Sequence, residues 1–138
     1  MNTRLQVVFD ASDPHELAHF WAQAVRGEVE DHSDIVGQLV DSGAMSRDGV
    51  VEVDGHLAFQ EVATAHADGF PRLFFQLVPE PKVAKNRCHV DLLVGPEQVD
   101  SERDRLLALG AVMVATNSDR GPVTHTLQDP QGNEFCVS

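Results

Sequence analysis

The sequence predicts an α+β fold in which one βαβββ module occurs twice. Each half of the chain contains a strand, a helix that ends at a glycine, and further strands. Gln6 and His89 occupy the same point in the two opening strands, 83 positions apart, and Gly27 and Gly110 end the two helices at the same separation. Such a repeat favours two modules that continue as one curved, mixed sheet with the helices on its outside.

The two modules differ in length. Gln76 and Cys136 lie at matching points of the two closing strands but only 60 positions apart. The first half is therefore longer by 23 residues, and the surplus lies in the 31–66 region. Within a single domain we expect module one over about residues 3–80, a helical insertion in it near 31–55, and module two over about 85–138.

The first module opens with a β-rich run at residues 5–9 and continues into a capped helix. Asp13 is a favourable N-cap, Pro14 suits the first helical position, and Glu16 completes a capping box. The apolar residues that follow at helical spacing predict a buried stripe of Leu17, Phe20, Trp21 and Ala24. Gly27 is the predicted C-terminal stop of this helix.

The remaining elements follow from short apolar runs and from the turn residues between them. In the first module we predict a short strand at 28–30, a helix at 34–40, and strands at 56–65 and 72–78. Pro79 and Pro81 then mark the crossover, because proline cannot continue a central strand. In the second module we predict a helix from Gly95 and Pro96 to Gly110, strands at 111–116, 123–127 and 134–137, and turns at 117–122 and 129–133.

Residues 85–94 (KNRCHVDLLV) are the predicted opening strand of the second module. Because side chains alternate along a strand, one face is apolar and consists of Cys88, Val90, Leu92 and Val94. The other face presents His89 and Asp91, and an imidazole and a carboxylate in an apolar strand need polar partners or a wet cavity. We therefore expect these two side chains to face a pocket or to be satisfied by neighbouring polar groups.

Composition argues against several classes of partner. The chain has 22 acidic and 10 basic residues and a formal net charge of −12, which opposes binding to nucleic acid or to an anionic membrane. No apolar run reaches the roughly 18 residues that span a bilayer, and the first residues lack a signal-peptide pattern. The two cysteines form no disulfide framework, so a cytoplasmic protein with reduced thiols is expected.

With these elements in place, the chain resembles the glyoxalase-like proteins of the vicinal oxygen chelate superfamily (glyoxalases, bleomycin resistance proteins and extradiol dioxygenases). The turn DPQGN at 129–133, ahead of the closing strand, is the most specific matching piece. The other matching pieces are Asp13-Pro14 with Phe20-Trp21 and Gly27, KNRCHVD at 85–91, and Leu109-Gly110-Ala111. The resemblance implies a U-shaped sheet around a cleft between the modules, and it suggests a homodimer.

The resemblance also implies four metal-facing positions in metal-dependent members, usually His and Glu, on the first and last strand of each module. Carried onto this sequence, these positions are Gln6, Gln76, His89 and Cys136. Only His89 keeps the usual residue, and two neutral amides are poor replacements for the imidazole and carboxylate that divalent ions prefer. We therefore predict no metal ligands and no cofactor, with a divalent metal as the less favoured alternative.

The candidate site residues have two interpretations. In a ligand pocket, His89 would act as general acid or base, and Asp91 or Glu134 would orient it. The ligand-binding residues would be Gln6, Phe74, Gln76, Asp91 and Cys136. In a filled, non-functional cleft, the polar side chains would instead satisfy one another by hydrogen bonding.

Two side-chain roles at this site stay open. Cys136 would be a nucleophile only if a neighbour lowered its pKa, and a buried, inert thiol is the simpler interpretation. Residues 85–87 (KNR) mark the rim of the expected cleft. Their charges would pair with the acidic surface or meet an anionic ligand.

Two functions fit this combination of residues. The first is a metal-independent enzyme that transfers a proton in a lyase- or isomerase-type reaction at His89. The second is a protein that sequesters an antibiotic or another small molecule without reacting with it. Replacement of His89 by alanine would abolish the first activity and leave the second largely intact, and true metal catalysis is a third option.

Overall fold

The computed structural model describes residues 1–119 and 121–138 and has the predicted α+β fold. The described residues form three α-helices and ten strands, and they divide into two compact units, Met1–Glu80 and Pro81–Ser138. Each unit contains a four-stranded mixed sheet and a helix that follows the first strand. The order strand, helix, three strands therefore recurs, as the sequence repeat predicted.

The first unit contains the main sheet and an inserted hairpin. In chain order its elements are β1 (Gln6–Ala11), α1 (Pro14–Ala24), β2 (Glu28–Val29), α2 (Ser33–Asp41), a short 3-10 helix (Arg47–Gly49), β3 (Val50–Val53), β4 (His56–Phe59), β5 (Val62–His66) and β6 (Arg72–Leu77). The main sheet has the order β1-β6-β5-β2, in which β1 is parallel to β6 and the other pairs are antiparallel. The strands β3 and β4 pair only with each other.

The core of this unit lies between α1 and one face of its sheet. The predicted stripe is buried: Leu17, Phe20, Trp21 and Ala24 are each at most 3% exposed. The ring of Trp21 lies 5.2 Å from that of Phe9 on β1, which stacks on Phe75 of β6 at 5.3 Å. The helix leaves the opposite face of β1 and β6 uncovered, and that open face is where their polar side chains lie.

The start of α1 is fixed by its N-cap. The glycine that follows the helix is required for a different reason than predicted. The side chain of Asp13 accepts two backbone N–H groups of the first turn at 3.0 and 3.1 Å, which confirms the N-cap. The left-handed residue after the helix is Arg26, with φ of 56°, rather than Gly27. Gly27 is needed because a Cβ there would lie 2.0 Å from the carbonyl oxygen of His66.

The surplus of the first unit is only partly helical. The predicted helix at 34–40 is α2, and later residues of the same region form the hairpin of β3 and β4. The predicted single strand at 56–65 is wrong, because the chain changes partner within it. β4 pairs with β3, whereas β5 pairs with β6, and the exposed residues 60–61 separate the two strands.

The second unit repeats the topology of the first unit's main sheet without the insertion. Its elements are β7 (Val90–Leu92), α3 (Val99–Ala108), β8 (Val112–Asn117), β9 (Thr124–Gln128) and β10 (Glu134–Val137), and the sheet order is β7-β10-β9-β8. Again the first and last strands are parallel. The buried apolar residues are Leu92, Val99, Leu106, Ala111, Leu127, Phe135 and Val137. Among the described residues, no helix is both long and apolar enough to cross a membrane.

Two predicted boundaries in the second unit are wrong. The opening strand covers only Val90–Leu92, and the preceding residues form a loop in which Cys88 is exposed rather than packed. The helix begins at Val99 instead of Gly95, because Gly95 adopts φ of +88° and its carbonyl accepts the N–H of Gln98 in a turn. Position 120 of the predicted turn lies outside the described residues.

Candidate functional site

The candidate site of the second unit lies on the open face of β7 and β10. The parallel register pairs Asp91 with Cys136, so these two predicted residues are neighbours across the strands. Asp91 is exposed, whereas Cys136 is half-buried and its Sγ lies 3.5 Å from the hydroxyl of Thr126 on β9. His89 is exposed and ends the loop that leads into β7. The structure thus pairs two of the predicted residues on the sheet, and the third, His89, lies in the loop directly before β7.

The imidazole of His89 makes both of its recorded contacts through Nε2. The ammonium of Lys85 lies 2.6 Å from this nitrogen, and the carbonyl oxygen of Asn86 lies 3.1 Å from it. The contact with Asn86 favours a proton on Nε2, and the contact with Lys85 favours a lone pair there. No contact of Nδ1 is found among the described residues, and this nitrogen carries a lone pair in the first case and an N–H in the second.

Glu134 lies on the same face as Cys136, but it contacts the loop rather than the ring of His89. Its carboxylate accepts the backbone N–H of Asn86 at 2.9 Å, pairs with Lys82 at 3.3 Å and accepts the amide of Gln128 at 3.4 Å. The side chain is only 11% exposed. The N–H of Asn86, with smaller contributions from Lys82 and Gln128, lowers the pKa of Glu134 to about 2. The carboxylate is therefore ionised at neutral pH and anchors the loop.

The predicted residues of the first unit lie on the open face of β1 and β6, and their partners differ from those expected. Gln6 pairs in register with Arg72 and accepts a hydrogen bond from its guanidinium at 3.2 Å. Gln76 is opposite Asp10 and donates to its carboxylate at 2.8 Å. Phe74, half-buried, lies between these two pairs along β6. Both amides are therefore engaged within their own unit.

A charged network on this face was not found from the sequence. Arg72 donates to Glu30 from Nε at 2.9 Å and makes a second, short contact through Nη2. The hydroxyl of Thr64 donates to Glu30 at 2.6 Å, and His32 lies 2.8 Å from that hydroxyl. The hydrogen bonds from Arg72, helped by Thr64, lower the pKa of Glu30 to about 2.

Part of this network had a signal in the sequence. Arg72 shares its strand parity with Phe74 and Gln76, so alternation alone placed it on the face of the predicted site. Glu30 had no such signal, because it follows the two-residue strand β2 and reaches Arg72 across 42 positions of sequence.

The residues at the four implied metal positions do not fit a divalent cation. They offer two amides, one imidazole and one thiol, and both amides already bond to other side chains. Across the described residues, no group of three or more His, Cys, Asp and Glu side chains is placed to hold a metal ion. A divalent site normally needs several imidazole, thiolate or carboxylate ligands converging on one point.

The paired βαβββ topology is shared with solved structures of the vicinal oxygen chelate superfamily. A glyoxalase/bleomycin resistance protein/dioxygenase family enzyme from Burkholderia phytofirmans PsJN is 14% identical, with a TM-score of 0.64 over 96% of this chain and 94% of that one. The fosfomycin resistance protein FosX from Mesorhizobium loti is 11% identical, with a TM-score of 0.65 over 99% and 90% of the two chains. At such identities the likeness concerns the fold alone.

A third solved structure, a mutant of FosX from Listeria monocytogenes complexed with Mn(II) and 1S,2S-dihydroxypropylphosphonic acid, is 13% identical, with a TM-score of 0.62 over 99% of this chain and 90% of that one. No curated protein matches the sequence. A family profile described as a glyoxalase-like domain matches residues 6–138. The chain therefore belongs to the glyoxalase-like domain family.

Proposed function

We propose that this chain is a metal-independent, cytoplasmic protein that binds a small organic molecule at the open face of β7 and β10 and transfers a proton through His89. The observation that carries the proposal is the environment of the ring. Both recorded contacts of His89 use Nε2, one with a donor and one with an acceptor. Nδ1 can therefore present either a lone pair or a proton to a ligand, which is what a general acid–base catalyst needs.

The reaction type follows from what this imidazole can do without a metal. As the Nε2–H tautomer, which the Asn86 carbonyl favours and which requires the Lys85 ammonium to turn away from Nε2, His89 would remove a proton from a carbon acid at Nδ1. It would then return the proton to a neighbouring atom of the same molecule. Such a step isomerises the molecule or eliminates a group from it, which is the lyase- or isomerase-type chemistry expected from the sequence. Asp91, exposed two residues further on, is placed to accept a hydrogen bond from the bound molecule.

A second candidate function is sequestration of a ligand without reaction. It is favoured by the contacts that Glu134 makes with residues other than His89. The carboxylate that would complete an acid–base pair with His89 is instead bonded to Asn86, Lys82 and Gln128. A protein that only binds its ligand needs no such pair. Apolar contacts would then supply most of its affinity for the ligand.

The test begins with ligands found by thermal shift on protein treated with EDTA, because a ligand of the native state raises the melting temperature. Phosphonates and other small organic acids are suitable first compounds, since the FosX neighbour is complexed with a phosphonic acid. Each ligand is then incubated in D2O with wild-type protein, and exchange of its C–H protons is followed by NMR. We expect His89→Ala to slow this exchange by about 100-fold or more, the usual contribution of a general acid–base catalyst.

The matched control is His19→Ala, which removes an exposed imidazole on α1 of the first unit and should leave the exchange rate within about twofold. Binding without exchange, equally in wild type and His89→Ala, would establish sequestration instead of proton transfer. Stabilisation that appears only after Mn(II) is added would contradict metal independence.

A further inference from the structure

Two cations beside the candidate site, Lys85 and Arg87, have no acidic partner among the described residues. Elsewhere in the described part of the chain, four cations make ion pairs with carboxylates: Arg72, Lys82, Arg103 and Arg105. Among the described residues no carboxylate lies within ion-pair distance of Lys85 or Arg87, and both are exposed. Two other exposed cations of the described residues, Arg4 and Arg47, also have no ion pair, but Lys85 and Arg87 lie two positions apart in the loop that contains His89.

The carboxylate that binds this loop, Glu134, does not pair with these two cations. Glu134 is committed to Lys82 at 3.3 Å and to the backbone N–H of Asn86 at 2.9 Å, so the carboxylate and Lys82 cancel each other's charge. These contacts also hold the loop against β10. The loop therefore keeps two positive charges in excess, and its backbone is anchored where it carries them.

The side chain of Lys85 contacts His89, and that of Arg87 contacts the backbone of Lys85. The ammonium of Lys85 lies 2.6 Å from Nε2 of His89. The guanidinium of Arg87 donates from Nε to the carbonyl oxygen of Lys85 at 3.2 Å, so its Nη groups stay free to bind another acceptor. The ammonium of Lys85 therefore contacts the proposed acid–base group, and the guanidinium of Arg87 belongs to the same short loop.

We propose that Lys85 and Arg87 bind the anionic group, a carboxylate or phosphonate, of the small molecule on which His89 acts. The inference rests on the proposed function and specifies its ligand class. Guanidinium and ammonium groups form short, charge-assisted hydrogen bonds with such oxyanions. Asp91, the acidic side chain on the adjacent strand, then meets a hydroxyl or another donor of the same ligand.

The charge of the whole chain indicates a free small anion rather than a phosphate polymer. The net charge of −12 repels a nucleic acid, whose charges extend over the surface. At physiological salt, charges beyond about 8 Å are largely screened, so a small anion responds mainly to the local excess around Lys85 and Arg87.

Inorganic phosphate and methylphosphonate are the probes, added to the full chain while amide NMR signals of residues 85–89 are followed. We expect both anions to shift these signals, and the double variant Lys85→Gln/Arg87→Gln to weaken binding about tenfold. The matched control is Arg47→Gln, which removes one exposed cation in the insertion of the first unit. Neutral glycerol at the same concentration should leave the signals unmoved.

The outcomes separate this inference from the proposed function. Equal weakening by Arg47→Gln, unmoved signals in wild type, or unchanged binding in the double variant would overturn the anion site. Proton exchange of a neutral ligand, with no phosphate shift at 85–89, would leave the function of His89 standing without it. Phosphate binding that depends on Lys85 and Arg87, in a protein that exchanges no ligand proton, would support the anion site and contradict proton transfer.

Discussion

At the scale of single residues, the two carboxylates with strongly lowered pKa values have structural partners and are not poised for proton transfer. Glu134 and Glu30 each have a pKa of about 2, caused chiefly by the backbone N–H of Asn86 and by Arg72 respectively. A carboxyl that is ionised at neutral pH can accept hydrogen bonds but cannot donate a proton there. In our proposal the proton therefore moves through His89.

Glu30→Gln tests the strength of the network around Arg72. Glutamine keeps one acceptor oxygen but faces Arg72 or Thr64 with an N–H2 group. Because the side chains of Glu30 and Arg72 are 23% and 42% exposed, we expect a loss of about 1–2 kcal/mol in the free energy of unfolding, below the full value for a charged hydrogen bond. Urea denaturation at pH 7 measures this loss.

The same variant has a predicted pH dependence. A carboxyl whose pKa is lowered on folding stabilises the native state above its ordinary pKa of 4.5 and loses that contribution as the pH falls toward about 2. The difference between wild type and Glu30→Gln should therefore be complete at pH 7 and shrink between pH 4.5 and 2. Glu28→Gln, an exposed carboxylate on β2, is the control, and an equal loss there would show a general charge effect.

At the scale of elements, close backbone approach decides where α1 and the sheet join. The N–H of Gly27 bonds to the carbonyl of Ala22 at 2.7 Å, and the missing side chain lets the carbonyl of His66 on β5 come close. The carbonyl groups of Ala22 and His66 belong to the backbone, so they cannot move aside as a flexible side chain could. Helix, turn and strand therefore depend on one glycine.

Two glycine-to-alanine substitutions should change the free energy of unfolding in opposite directions. In Gly27→Ala the added Cβ would meet backbone at 2.0 Å, and we expect a loss of about 3 kcal/mol or more. In Gly37→Ala no atom lies within 4 Å of the added carbon, and alanine should raise stability by about 0.5–1 kcal/mol because it favours the helix α2. Urea denaturation of both variants is the measurement, and equal effects would contradict the close contact.

The turn before β10 shows why a local motif is predictable. Asp129 is 2% exposed, and its Oδ1 accepts the backbone N–H groups of Gln131 and Asn133 at 2.9 and 3.0 Å. Gly132 adopts φ of +83° between them. These two partners of Asp129 lie within four positions of it, so the motif DPQGN predicts the turn. The loop at 82–89 depends instead on Glu134, which no local pattern points to.

At the scale of the whole molecule, the repeat explains why each unit carries polar side chains on the open face of its own sheet. In each unit a parallel pair of strands places a carboxylate beside a neutral partner: Asp10 beside Gln76, and Asp91 beside Cys136. These pairs are set by the register of the parallel strands and not by equivalent positions in the sequence repeat. Asp10 was therefore not among the predicted site residues, because the repeat pairs Gln6, and not Asp10, with His89.

We propose, from the family resemblance, that the chain forms a homodimer. Size-exclusion chromatography with light scattering should give a mass near twice the 15.1 kDa of the chain. The mass should hold over a range of protein concentrations if the interface is stable. A constant mass of one chain would contradict the proposal without affecting the site at His89, which is described entirely within the second unit.

The sequence by itself determined the fold class, the repeated βαβββ order, the capped helix α1 and the turn at 129–133. These features depend on periodicity, capping and turn chemistry among residues close in the chain. Only the tertiary structure decided that 82–89 is a loop, that Glu134 binds Asn86 across 48 positions, and that Glu30 binds Arg72 across 42. Alternation tells which face a side chain occupies, but the partner it meets there depends on strand register and on how distant segments close over the sheet.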